Sequence, residues 1–178
     1  MYGSRGLCAH SNTDAWGDVA PQDSYISATV WPLGVGWLAT HVFEHYRFTG
    51  DLEMLRDMYE VLTAAVEFAL DFLTPAGGYM VTNPSLSPEK TFREPRSGQT
   101  VAITAGPTID TAIIRELCNM VIEADRLLGV NDSAFLQRVT DMKSKLAPLR
   151  LNQFGGVAEW MHDFEEVRTV DQASRNSY

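Results

Sequence analysis

Residues 34–73 read GVGWLATHVFEHYRFTGDLEMLRDMYEVLTAAVEFALDFL, and the spacing of their apolar residues decides the fold class. Pro32 precedes the stretch and Thr49-Gly50-Asp51 interrupts it, which predicts a first helix over about 34–48. Its Val35, Trp37, Leu38, Val42, Phe43, Tyr46 and Phe48 wrap most of the way round, so burial is expected on nearly every side. Beyond Gly50 the pattern narrows. Leu55, Met58, Tyr59, Leu62, Ala65, Val66, Ala69, Leu70 and Leu73 form one stripe of a second helix over about 51–73. Glu53, Asp57, Glu60, Glu67 and Asp71 lie largely outside that stripe, as on a solvated face.

The plan recurs downstream. Ile109, Ile113, Ile114, Leu117, Val121, Ala124 and Leu128 predict a helix over about 108–128 that stops at Gly129. Phe135, Val139, Met142 and Leu146 predict another over about 132–146, with Asn131 or Asp132 able to cap it. The expected class is therefore all-α, built of αα-hairpins that each turn at a glycine. Gly50 and Gly129 are separated by far more than the roughly 34-residue period of a tetratricopeptide array. Large toroids of paired helices use this arrangement, with apolar inner helices ringed by amphipathic outer ones.

Between the hairpins, residues 74–107 are rich in Pro and Gly and carry no helical period. YMVTN (79–83) and TVAIT (100–104) could pair as short strands. A loop of this length inside a compact domain is usually functional or disordered, and its aromatic and β-branched residues favour an ordered, functional element.

The totals exclude several classes. The chain has 178 residues, one-domain length, and is 45% hydrophobic and 21% charged, which suits a soluble globular protein. Its net charge of -9 argues against a nucleic-acid groove, and no apolar run approaches a membrane span. Cys8 and Cys118 have no metal spacing; they could form a disulfide, but two buried free thiols are the expected state. No cofactor motif is present. The polar stretch TVDQASRNSY (169–178) is expected to fray.

Three groups of residues could carry chemistry. His41-Val42-Phe43-Glu44-His45 has the form of an inverted zinc-peptidase signature, with Glu116 and Glu123 as possible third ligands. Against it, Tyr46, Arg47 and Phe48 make this helix end look packed, and histidines near a helix C-terminus have an ordinary dipole role. No metal is expected. In the loop, Asn83-Pro84-Ser85-Leu86-Ser87-Pro88-Glu89 is stiffened by two prolines and ends in a carboxylate, which suits a glycosidase acid as well as a solvated loop. Finally, His10, Asn12, Asp14, Trp16 and Asp18 crowd HSNTDAWGD, offering a stacking face and directional hydrogen bonds to a sugar, or simply a polar turn around an anchoring Trp.

Taken together, AHSNTDAWGD (9–18), VWPLGVGWLATHVFEHYRFTGD (30–51), YMVTNPSLSPEKTF (79–92) and PTIDTAIIREL (107–117) resemble family 95 of the glycoside hydrolases, from about residue 6 to residue 164. These are α-L-fucosidases that release α-1,2-linked fucose, with a few members acting on L-galactose. The resemblance implies part of an (α/α)6 barrel, which makes the HVFEH match a coincidence. It further implies Glu89 as the general acid within Ser87-Pro88-Glu89, and His10, Asn12, Asp14, Trp16 and Asp110 as substrate-binding residues. An oligosaccharide or glycan is the implied partner, and an extracellular location is implied for the family, although no signal peptide is visible in this chain. Asn131-Asp132-Ser133 is then a plausible glycosylation sequon.

Departures from the pattern matter too. The family is inverting; its assisting Asn-x-Asn segment is expected upstream of Met1 and its base Asp beyond Tyr178. Residues 165–178 diverge where a His-rich segment is expected. The chain is thus expected to be about a third of a barrel, such as a truncated or mis-spliced gene would encode. Lacking the remainder of its barrel, it is expected to be inactive alone and prone to self-association. Another (α/α)6 carbohydrate-active enzyme, or a non-catalytic helical interaction fragment, is the alternative.

Overall fold

The computed structural model describes residues 2–10, 15–18 and 25–167. Its helices are α1 (Ile26–Thr29), α2 (Gly34–Thr49), α3 (Leu52–Asp57), α4 (Tyr59–Phe72), α5 (Thr108–Leu128) and α6 (Ser133–Ser144). The predicted helices are therefore present, and α5 has the predicted limits. Gly50 and Gly129 both end their helices in the left-handed region, at φ 71° and 69°, where a residue with a Cβ would be strained. Asp132 caps α6, its Oδ1 accepting from Phe135 N at 3.0 Å.

The second predicted helix is in fact two. Asp51 stands outside it as the cap of α3, accepting from Met54 N at 2.9 Å, and Met58 leaves helical geometry at φ −97°, ψ 1°. The backbone ladder bridges this break, since Met58 N reaches Met54 O and Leu62 N reaches Met58 O. Both pieces pack against α2 and α5. Leu55 is fully buried from α3, while α4 buries Leu62, Ala65, Val66 and Ala69. A single apolar stripe hides such a break because both halves keep the same period.

The core lies where α2, α4 and α5 meet, around Phe43, Leu62, Val66, Ile114, Leu117 and Val121. Each such side chain stabilises the fold by about 1.5–3 kcal/mol. Gly36 brings α2 close to α5, since a Cβ there would sit 3.3 Å from Leu117 Cδ1. Burial of α2 on nearly every side is not observed. Its Gly34, Gly36, Ala39 and Phe43 are buried, but Trp37, Leu38 and Phe48 are 53%, 55% and 90% exposed. Helices α4 and α5 cover one face of it, and no other described element covers the opposite one.

The interruption at 74–107 is ordered into short strands, but with pairings other than those expected. YMVT does not meet TVAIT. Instead β1 (Leu73–Ala76) and β2 (Tyr79–Thr82) form a hairpin, closed by Gly77 and Gly78 at φ 59° and 85°. Two glycines at positive φ suit a two-residue hairpin turn, so this pairing has a local cause. The TVAIT stretch splits. Thr100–Val101 (β5) pairs with Phe92–Arg93 (β4), and Ile103–Thr104 (β6) pairs with Ser85–Leu86 (β3). A last strand, β7 (Glu165–Glu166), adds to the other edge of β4.

Both cysteines are free, Cys118 buried and Cys8 half-buried. Among the described residues, no helix is long and apolar enough to cross a membrane. The stretch 169–178 expected to fray lies outside the described residues.

Candidate active site

The Ser87-Pro88-Glu89 segment follows β3 directly. Ser85, Leu86 and Ser87 are at most 2% exposed, whereas Glu89 is exposed. The stiff run thus ends by presenting its carboxylate outward from a buried base. The Asn83–Pro84 and Pro88–Glu89 peptide bonds are cis. Ser87 Oγ donates to Glu159 Oε1. On the other side of Glu89, Lys90 Nζ meets Glu166 Oε1 at 2.6 Å, and Thr91 exchanges backbone and hydroxyl hydrogen bonds with Val167.

Asp110 is placed differently from a pocket-lining residue of this chain. It is 1% exposed, in the first turn of α5, with Trp31 Nε1 donating to Oδ1 at 2.7 Å and Thr82 Oγ1 donating to Oδ2 at 2.6 Å. Burial pushes its carboxyl up to about 6, while Ser85, Thr82 and Trp31 pull the other way. It therefore ties the start of α2, through Trp31, to the end of β2, from which the acid segment departs.

His10 is 8% exposed and packs at the start of α2. Tyr2 Oη lies 3.2 Å from its Nε2, and among the described residues Nδ1 has no hydrogen-bond partner. Burial lowers its pKa and favours the neutral ring. Gly34 is required beside it, because a Cβ there would come within 2.5 Å of His10 O and 2.7 Å of Ala9 O. Trp16 is 90% exposed, and Asn12 and Asp14 lie outside the described residues. The structure thus joins Asp110 to the acid segment through Thr82, and joins His10 to the start of α2.

The zinc-like residues take no such position. His41, Glu44 and His45 lie on the exposed face of α2, and Glu116 meets Arg47 at 3.1 Å rather than a histidine. The expectation that this helix end is packed is not met, since Phe48 is 90% exposed. Among the described residues no group of three His, Cys, Asp or Glu side chains could hold a metal.

The profile of the Glycosyl hydrolase family 95 catalytic domain matches residues 1–173. The chain belongs to glycosyl hydrolase family 95. An Arabidopsis thaliana protein called Alpha-L-fucosidase 2 is 35% identical over 167 residues, which are 93% of this chain and 20% of that protein. The chain thus spans about a fifth of this curated relative's length. For a family 95 chain, the contacts that sequence reasoning missed are Trp31, Thr82, Glu159 and the Lys90–Glu166 pair. Their partners are 72 to 79 residues apart in all but one case, so no local pattern announces them. Thr82 alone, near the acid motif, gave a hint, as the polar end of an otherwise apolar strand.

Proposed function

We propose that this chain supplies the general-acid side of a site that removes terminal α-L-fucose, α-1,2-linked, from oligosaccharides or glycans by inversion. Glu89 is the acid. It protonates the departing glycosidic oxygen as the bond to the anomeric carbon breaks, while a base on the opposite face takes a proton from the attacking water. The observation that carries this reading is the exposed carboxylate at the end of a buried, doubly tethered segment, within a family 95 domain.

Further support comes from the surroundings. Asp110 fixes the end of β2 from which the acid segment leaves, and His10 sits neutral at the start of α2 beside the segment that holds Trp16. His10, Asn12, Asp14 and Trp16 would contact the sugar, and Asp110 would support the pocket from behind. In the whole protein the αα-hairpins would form part of an (α/α)6 barrel, and the bare face of α2 would be covered by its other helices. The base is not among the residues that the family resemblance assigns here. An extracellular location belongs to the same reading.

Fucose release from 2'-fucosyllactose tests it. The 178-residue chain alone should release none. In a polypeptide that also carries the base, Glu89→Gln should lower turnover about 10²–10⁴-fold with substrate binding nearly intact. Turnover near that of the unmutated protein would end the assignment.

A further inference from the structure

Residues 159–167 touch the acid segment at several points. Glu159 accepts from Ser87 Oγ, two residues before Glu89. Ser87 is 1% exposed, so its hydroxyl depends on that carboxylate for a partner. The backbone of Glu159 is itself anchored, since its carbonyl accepts from Thr108 N at 3.0 Å, and Pro107 bridges Trp160. The donor at Thr108 is one of those a helix start leaves without an intrahelical partner. Glu159 therefore links the rigid start of α5 to the acid segment.

Beyond Glu89 the same stretch grips again. Strand β7 pairs with β4, Glu166 meets Lys90, and Val167 N donates to Thr91 O at 2.9 Å. Phe92 packs against Phe164, stacked at 4.1 Å between ring centroids, and against Trp160 at 5.2 Å, the three rings forming one cluster. A general acid has to be held within about half an ångström of its productive position, at hydrogen-bond distance from the leaving oxygen, which a loop achieves only when its neighbours fix it.

We propose that Glu159 is a positioning residue for Glu89, the fixed end of a clasp formed by residues 159–167 that holds the acid segment on both sides. The clasp rests on the reading of Glu89 as the acid, but its test does not. Hydrogen–deuterium exchange on the 178-residue chain reads it directly, at the amides of Lys90, which donates to Ser87 O, and Val167. Glu159→Ala and Ser87→Ala should each speed exchange at Lys90 about tenfold, the loss of one charge-assisted hydrogen bond. The double variant should add nothing further. Glu159→Gln, which keeps an acceptor oxygen in place, should restore most of the protection. Amides of α5 around Leu117 should change less than about twofold.

Unchanged exchange at Lys90 in both single variants would overturn the clasp, and so would acceleration spread evenly into α5. Should Glu159→Ala fail to fold, Ser87→Ala breaks the same bond from the other end and decides alone. Glu89→Gln should leave these amides at their original rates. A failed clasp is thus read by exchange, and a failed acid assignment by turnover.

Discussion

Around Leu117 the neighbours are helices that each form on their own pattern, and the side chain is fully buried among Gly36, Ile114 and Val121 of the core. Around Glu89 the backbone turns within a few residues, the carboxylate is exposed, and the tethers on either side reach residues 72 and 76 positions away. The first region is stable because it buries apolar area. The second is ordered because particular hydrogen bonds and one ion pair hold it. Stability and site geometry are therefore separable in this molecule, and substitutions should be able to damage one without the other.

The largest effect on stability belongs to the core. Leu117→Ala should cost about 2–5 kcal/mol, read as a lowered midpoint in urea melts, because α2 and α5 cannot close the gap across Gly36 without moving. A loss under about 1 kcal/mol would show that the three-helix junction is looser than described.

Asp110 comes next, and it joins the two regions. Its carboxyl is raised from the usual value of 3.8 to about 6, so the folded state holds this proton more tightly than the unfolded state does. Below about pH 4 both states are protonated and the penalty is absent. As pH rises toward 6 the unfolded state ionises first, and stability falls by about 3 kcal/mol from this group. Above the folded value the penalty is complete. Asp110→Asn should remove that slope, so the difference between the two proteins' pH profiles is the measurement. Parallel profiles would mean that the buried carboxyl is not shifted.

The helices were legible in the sequence because each carries its own signals. Gly50 and Gly129 marked both stops, Asn131 and Asp132 marked a cap that the fold assigns to Asp132, and the period of α5 gave its limits to the residue. The break at Met58 was not legible, since it leaves the apolar stripe in phase. The bare face of α2 was not legible either, because the residues of a buried helix look the same whether or not its neighbours are present. Gly77-Gly78 did announce the β1–β2 hairpin and was passed over for a longer-range pairing. In the site, the Ser87-Pro88-Glu89 motif stood out, whereas Glu159 is an ordinary Glu in sequence and acquires its contact only from the fold.

Smaller effects sharpen the contrast. Asp132→Ala should cost about 1 kcal/mol through loss of the cap on Phe135 N, with exchange quickened in α6 and not at Lys90. Acceleration at Lys90 would show that the two regions are coupled. The combined Trp37→Ser and Phe48→Ser variant should change stability within about 0.5 kcal/mol. It should also reduce concentration-dependent association in sedimentation, because it removes exposed apolar surface from α2. Unchanged association would exonerate that face.

The central claim is that Glu89 gives a proton to the leaving oxygen, and a pair of substrates tests it. A fucosyl glycoside needs that proton, whereas fucosyl fluoride departs as fluoride and does not. In a polypeptide holding both this acid segment and the base, Glu89→Gln should lower kcat on the glycoside about 10²–10⁴-fold and leave hydrolysis of the fluoride within about tenfold. Equal losses on the two substrates, or no loss on the glycoside, would contradict the account.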